Sequence, residues 1–275
     1  MNKRKKLWIV LISVVLGLFV VLGGTYFATK LNTVSVEFRT RLAEDETRLP
    51  SGALDMVKDS AEFNYKDSVL FMDIKKHTDK IEKSNPYIKV QQVIRKFPNK
   101  VCVYVSERVP KFRMLDKENS DFWFILDEDF KILERISNDD LNLQNMDELT
   151  VEIQYISEAI SVGEFLNKTS EKEKLNTLLS GVYGRTKDYF AVRSIDYLAS
   201  ENKFYLTMRT NVETEDGTII YAGGCVIELE NKGNISQKAF NGTSVYVGDS
   251  NLMDGKDLSQ KQIIVADEND CIIKN

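Results

Sequence analysis

The chain has 275 residues, 43% of them hydrophobic and 29% charged, which excludes a disordered or collagen-like chain and sets one or two domains as the expectation. With 37 Lys+Arg against 42 Asp+Glu, a formal charge of −5 argues against a nucleic-acid binder that needs a broad basic face. One histidine, His77, and three cysteines (Cys102, Cys225, Cys271) without a CxxC pair leave little room for a histidine base or a metal cluster. No catalytic, metal or cofactor-binding residue is expected.

Residues 1–6 read MNKRKK, a basic tail, and residues 7–29 then run 23 positions without a charge. A helix of that length reaches roughly 34 Å, enough for a hydrocarbon core of about 30 Å. Trp8 and Tyr26 stand near its two ends, where amphipathic rings favour the interface. The rival reading is a cleaved signal peptide, whose apolar region spans about 7–15 residues and ends at a small-x-small site. Here the run is longer, and Tyr26 would occupy the −3 position for cleavage after Ala28. A single uncleaved anchor over 7–29 is therefore expected, with the basic tail in the cytoplasm and everything after Lys30 outside. Residues 31–275 then hold 32 basic and 42 acidic residues, a balance of −10 that disfavours nucleic acid and flat adsorption on anionic lipid.

Exported proteins often carry disulfides, yet three cysteines cannot all pair within one chain. Cys102 and Cys225 lie in apolar, β-like runs and read as small packed residues; a Cys225–Cys271 bridge stays open.

Beyond the anchor, Val34–Phe38 alternates apolar and polar residues as a strand does. Ser51 is placed to cap a short helix carrying Leu54, Val57 and Ala61. A second helix is expected from the N-cap Asp73 to about Ser84, with Ile74 and Ile81 on one face, ended by Asn85-Pro86. His77 lies between those isoleucines and flanks the apolar face. Tyr87–Phe97 and Val101–Ser106 read as two strands joined by a Pro98-Asn99-Lys100 turn, with Val101, Val103 and Val105 on one face. The order strand, helix, helix, strand, strand predicts a small α+β domain over 33–108, its sheet covered on one face.

From Val109 the pattern changes. Short strands are expected at Lys111–Leu115, Phe122–Leu126 and Lys131–Arg135, with Asp127 and Asp129 in a hairpin turn. Ser170–Glu173 fits a capping box, followed by Leu175, Leu178, Leu179 and Val182 at helical spacing, with Gly184 as the stop. Phe190–Leu198, Phe204–Val212, Thr218–Ala222 and Cys225–Leu229 read as successive strands, with turns at 201–203 and 215–217. Residues 109–275 thus form a mostly antiparallel β domain with one or two helices and a C-terminal extension. Three N-x-S/T sequons, at Asn167, Asn234 and Asn241, read as chance matches.

One stretch is more specific: Val69–Ile74, Ile81–Lys89, Val93–Asn99 and Val101–Val105, closing in Glu107-Arg108-Val109-Pro110. Its order of motifs resembles the FtsQ-type POTRA domain of the FtsQ/DivIB cell-division family: an apolar entry to the second helix ending in Asp, a Pro-Tyr-Ile-Lys strand start, Arg-x-Phe-Pro-Asn at the hairpin, and Glu-Arg-x-Pro at the exit. The segment 122–133, FWFILDEDFKIL, resembles the hairpin that opens the family's β domain, with Phe130 where that family usually has glycine. After Gly217 the resemblance cannot be followed residue by residue.

The resemblance implies a non-enzymatic, bitopic divisome scaffold at the division septum of the plasma membrane. It implies recruitment of FtsB/DivIC-like and FtsL-like bitopic proteins, for septum assembly and septal wall synthesis, by strand addition at a C-terminal sheet edge. Two segments are candidates for that edge. One is Thr243–Val247, with Val245, Tyr246 and Val247 as contacts and Tyr246 either an exposed anchor or a core residue. The other is Gln262–Ala266, with Ile263 and Ile264. Pro86, Tyr87, Phe97 and Pro98 belong to the POTRA motif as turn and strand residues, and Glu107, Arg108 and Pro110 are expected to set the joint between the domains. Two other classes stay open: an anchored POTRA-type docking subunit of a secretion or sensing system, and an extracytoplasmic wall hydrolase. The hydrolase would need a nucleophile with a base, or a metal, and the composition disfavours both.

Overall fold

The computed structural model describes residues 3–43, 47–116, 118–140, 150–154, 161–166, 170–213, 219–249, 252 and 262–274. The expected turn at 215–217 and the Asn167 sequon lie outside them, as do the side chains of Ser170 and Glu171 in the capping box. The chain divides into two compact units, Met1–Arg108 and Val109–Asn275.

The first unit opens with helix α1 (Lys3–Ala28), in which the basic residues Lys3–Lys6 form the first turn. Within it Leu11–Ala28 is long and apolar enough to cross a membrane. The helix ends in a tight local lock. Tyr26 Oη donates to the Lys66 carbonyl at 3.1 Å, and the Thr29 and Ser68 hydroxyls meet at 2.6 Å.

Strand β1 (Thr33–Thr40), helices α2 (Ala53–Ser60) and α3 (Ile74–Ser84), and strands β2 (Ile88–Lys96) and β3 (Lys100–Glu107) follow in the expected order. The sheet runs β1-β3-β2, with β2 and β3 antiparallel and β1 parallel to β3. A parallel pair needs a long crossover, and the two helices supply it. Val101, Val103 and Val105 are fully buried on the face that those helices cover, with Val57, Ala61 and Ile81 opposite. Asp73 caps α3 as expected, accepting from the Lys76 N–H at 3.2 Å. The cap of α2 is a correction. Gly52, not Ser51, holds that position, at φ 85°, a left-handed conformation that favours glycine, and no side chain caps the helix. His77 is buried and structural: Nδ1 lies 2.7 Å from the Ala61 carbonyl and the ring stacks on Phe63.

The second unit is built on β4 (Phe112–Leu115), β5 (Phe122–Leu126), β6 (Ile132–Ser137), β7 (Val151–Ile153), helix α4 (Ser170–Thr186), β8 (Val192–Leu198), β9 (Lys203–Glu213), β10 (Ile219–Glu230), helix α5 (Ile235–Gly248), β11 (Gln262–Ala266) and β12 (Cys271–Lys274). All nine strands join one sheet in the order β12-β11-β10-β9-β8-β7-β4-β5-β6. Most neighbours are antiparallel, but β10–β11, β4–β7 and β7–β8 are parallel. Leu175, Leu178, Leu179 and Val182 of α4 are buried in one core with Ile195, Leu206 and Ile227 of the sheet.

Three details differ from expectation. The two expected strands around 218–222 and 225–229 are, over the described residues, one strand, β10 (Ile219–Glu230), interrupted only by a register shift between Gly223 and Cys225. Gly184 does not stop α4, which continues to Thr186. A Cβ there would stand 3.4 Å from the Phe240 ring, an ordinary contact, so the glycine neither ends the helix nor is required by its packing. The turn after β5 keeps the left-handed backbone of a glycine although Phe130 fills it, at φ 61°. Its ring stacks on Phe112 with centroids 4.8 Å apart, and Asp127 Oδ1 accepts from the Asp129 and Lys131 N–H groups. All three cysteines are free thiols, so Cys225 and Cys271 do not pair.

Candidate partner interface at the open sheet edge

Both ends of the nine-stranded sheet are edges, but they differ. At β6, the Ile132 N–H donates to the Glu164 carbonyl and the Gly163 N–H to the Ile132 carbonyl, each at 2.8 Å, so a later segment pairs with the first residue of that edge. At the other end β12 pairs with β11 alone: Ile264 lies opposite Ile273, and Val265 opposite Ile272. Among the described residues no strand lies beyond β12. Its outer backbone groups are a template for another strand, and Ile272 and Ile273, 61% and 43% exposed, add two large apolar side chains.

Helix α5 holds this edge in place through the β11–β12 turn. Asn234 starts the helix, its side chain accepting from the Gln237 N–H at 3.1 Å, while its own N–H donates to Glu268 Oε1 at 2.7 Å. One turn on, Lys238 Nζ lies 3.1 Å from Asp267 Oδ1. Asn241 Nδ2 then donates to the carbonyls of Asp267 and Glu268, at 3.0 and 2.8 Å. Gly242 completes the seat, because a Cβ there would come within 2.6 Å of Ile227 and 3.0 Å of Ala266. The Glu268 N–H and the Lys238 ammonium hold the Asp267 carboxyl below its ordinary range.

The two sequence-derived candidate edges both require correction. Val245, Tyr246 and Val247 lie in α5, not in a strand. Tyr246 is buried and its hydroxyl donates to the Arg209 carbonyl, while Val245 and Val247 pack half-buried against the core. Ile263 and Ile264 are in a strand, but β11 is paired on both sides, and Ile264 is fully buried. The edge therefore falls one strand later, on Ile272 and Ile273. The only sequence sign of it was the apolar pair in CIIK, a run too short to stand out as a strand.

The remaining motif residues organise the first unit. Glu107 gathers the chain that follows β1, accepting from the Leu42 and Arg48 N–H groups and the Thr47 hydroxyl at 2.8–3.2 Å. Arg108 donates to the Ile88 carbonyl at 3.3 Å and pairs with Glu82 at 3.2 Å. Tyr87 is buried and its carbonyl accepts from the Arg108 N–H, while Pro86 precedes it at the end of the α3–β2 connection. Pro110 is buried, whereas Phe97 and Pro98 stand exposed at the tip of the β2–β3 hairpin. The contacts of Glu107 and Arg108 described above all lie on the first unit's own side of the proposed joint.

Residues 54–108, spanning α2, α3, β2 and β3, match the family model described as POTRA domain, FtsQ-type. The chain carries an FtsQ-type POTRA domain. The match supports an FtsQ/DivIB-like protein, and with it a non-enzymatic scaffold family whose POTRA domain points to protein–protein interaction. No curated protein matches the chain. Ahead of the FtsQ-type POTRA domain stands the one helix among the described residues that is long and apolar enough to suggest single-pass membrane anchoring; behind it stands the strand-rich unit with the open edge.

Proposed function

We propose that this FtsQ/DivIB-like chain is a single-pass scaffold of the division machinery, with the Lys3–Lys6 end in the cytoplasm and both folded units outside. It works at the septum without chemistry of its own, recruiting FtsB/DivIC-like and FtsL-like bitopic proteins for septal wall synthesis. The observation that carries this reading is β12, which among the described residues pairs on one side only, at the opposite end of the sheet from β6. A partner strand laid along β12 satisfies its outer N–H and C=O groups, and Ile272 and Ile273 supply side-chain selectivity.

The test uses the full chain in nanodiscs and a purified FtsB/DivIC-like partner. The double substitution Ile272→Asp and Ile273→Asp should abolish binding while leaving the unfolding midpoint near that of the unaltered chain, because both side chains are exposed. Unchanged affinity refutes the edge model. Septal localisation of a fluorescent fusion, as against uniform membrane staining, separates a division scaffold from a docking subunit of another envelope system.

A further inference from the structure

The FtsQ-type POTRA unit carries a second apolar feature that partner recruitment through β12 does not use. Phe71 and Phe97 are each 71% exposed, and Leu70 beside Phe71 is 43% exposed. They belong to different loops, one between α2 and α3 and the other at the β2–β3 hairpin, yet both loops are bound to the few residues that leave α1. The Ser68 hydroxyl meets Thr29, the Val69 N–H donates to the Thr29 carbonyl at 2.8 Å, and the Phe71 N–H donates to the Ser68 carbonyl at 3.1 Å. On the other side the Asn32 and Thr33 N–H groups donate to the Asn99 carbonyl, two residues past Phe97, at 2.8 and 3.3 Å.

We infer that this rim of the POTRA unit, led by Phe71 and Phe97, rests in the headgroup layer of the lipid bilayer and fixes the tilt of the domain on the membrane. The argument rests on α1 being the anchor. Its apolar span ends at Ala28, and Asn32 stands only four residues further on, so the chain between them reaches at most about 14 Å. The polar layer beyond the hydrocarbon is about 5–8 Å deep on each side, so loops tied to Thr29 and Asn32 lie within or next to it. A large apolar side chain placed there gains by leaving water, and aromatic rings favour that depth.

The surroundings agree with this. Tyr26 and Phe27 stand edge to face at the end of the span, and Lys30 Nζ lies 5.6 Å from the Phe27 ring. Phe71, Tyr26 and Lys76 line one open cleft of about 490 Å³. Lys96 and Lys100 face each other across the hairpin on either side of Phe97. Lysines with long apolar stems suit a phosphate-bearing surface. Of the three acids lining the same cleft, Glu62 is paired with Lys80, Asp67 accepts from the Asn64 side chain at 3.1 Å, and Asp73 caps α3.

The experiment uses the full chain in vesicles of phosphatidylcholine and phosphatidylglycerol, with and without brominated acyl chains. Single-tryptophan variants are made on Trp8→Phe and Trp123→Phe: one with Phe71→Trp, one with Phe97→Trp, and one with Thr40→Trp at the far end of β1. A chain with Trp123→Phe alone keeps Trp8 and reports on the anchor. The Phe71→Trp and Phe97→Trp chains should emit at shorter wavelength and lose roughly half their fluorescence to the bromolipids, as expected for rings at the headgroup boundary. Thr40→Trp should lose none, since about 23 Å of strand separates it from Thr33. If Trp8 is quenched and the indoles at 71 and 97 are not, the rim does not touch lipid and this inference falls alone. If Trp8 is not quenched either, the anchor reading fails with it.

Discussion

The hydroxyl of Tyr246, on α5, donates to the carbonyl of Arg209, on β9 beside the point where the β9–β10 ladder shifts register. A side chain that the sequence left open between an exposed strand anchor and a core residue thus sits in the core and joins helix to sheet.

Removing that hydroxyl should cost about 1–2 kcal/mol, since a buried carbonyl loses its donor. Tyr246→Ala should cost more, about 3–5 kcal/mol, because a cavity replaces a fully buried ring. Urea unfolding of the full chain in detergent measures both, and a Tyr246→Phe midpoint equal to that of the unaltered chain would show the bond contributes nothing.

Phe130 sets two effects against each other. Its left-handed backbone costs about 1–2 kcal/mol that glycine would not incur. Its buried ring, stacked on Phe112, is worth about 3–5 kcal/mol against truncation. Packing wins in that comparison, so Phe130→Gly should destabilise by about 1–4 kcal/mol even though it restores the residue favoured by the turn. A gain in stability on that substitution would mean that strain outweighs the core contact.

Gly181 lets α4 and α5 touch. A Cβ on it would lie 2.1 Å from the Ser236 carbonyl oxygen, a backbone atom that cannot swing aside. Gly181→Ala should therefore force the helices apart and cost about 1–3 kcal/mol, despite alanine's better helix propensity. Because α5 seats the β11–β12 turn, hydrogen exchange at the β12 amides that bond to β11 should quicken in the same variant.

The turn itself should respond to acid. Asp267 has its pKa lowered in the fold by the Glu268 N–H and the Lys238 ammonium. A carboxyl shifted downward stabilises the fold above its unfolded value, near about 4, and that contribution is lost as pH falls through the folded value. Exchange protection of the β12 amides should accordingly drop below about pH 4, and Asp267→Asn should flatten that dependence. An unchanged acid profile in the variant would separate the turn from this ion pair.

Much of the first unit was legible because its signals are local. Proline stops, an Asp cap on α3 and the Val101, Val103 and Val105 alternation each act over a few residues, and the observed elements follow them closely. The second unit was legible as strands and helices but not as an edge. Thr243–Val247 is rich in β-branched residues, yet the Asn234 cap upstream and the fit of Gly242 between Ile227 and Ala266 make it helical. Gly184 resembled a helix stop, yet the helix continues to Thr186.

The amino-acid order alone determined the N-terminal apolar helix and the β-α-α-β-β module, since periodicity, caps and composition are properties of short windows. Tertiary structure alone decided that β11 is paired on both sides, that Tyr246 is internal and that Ile272 and Ile273 are left at the rim of the sheet. Strand neighbours are chosen by pairing across long chain separations, and no local pattern records which strand is left without a second partner.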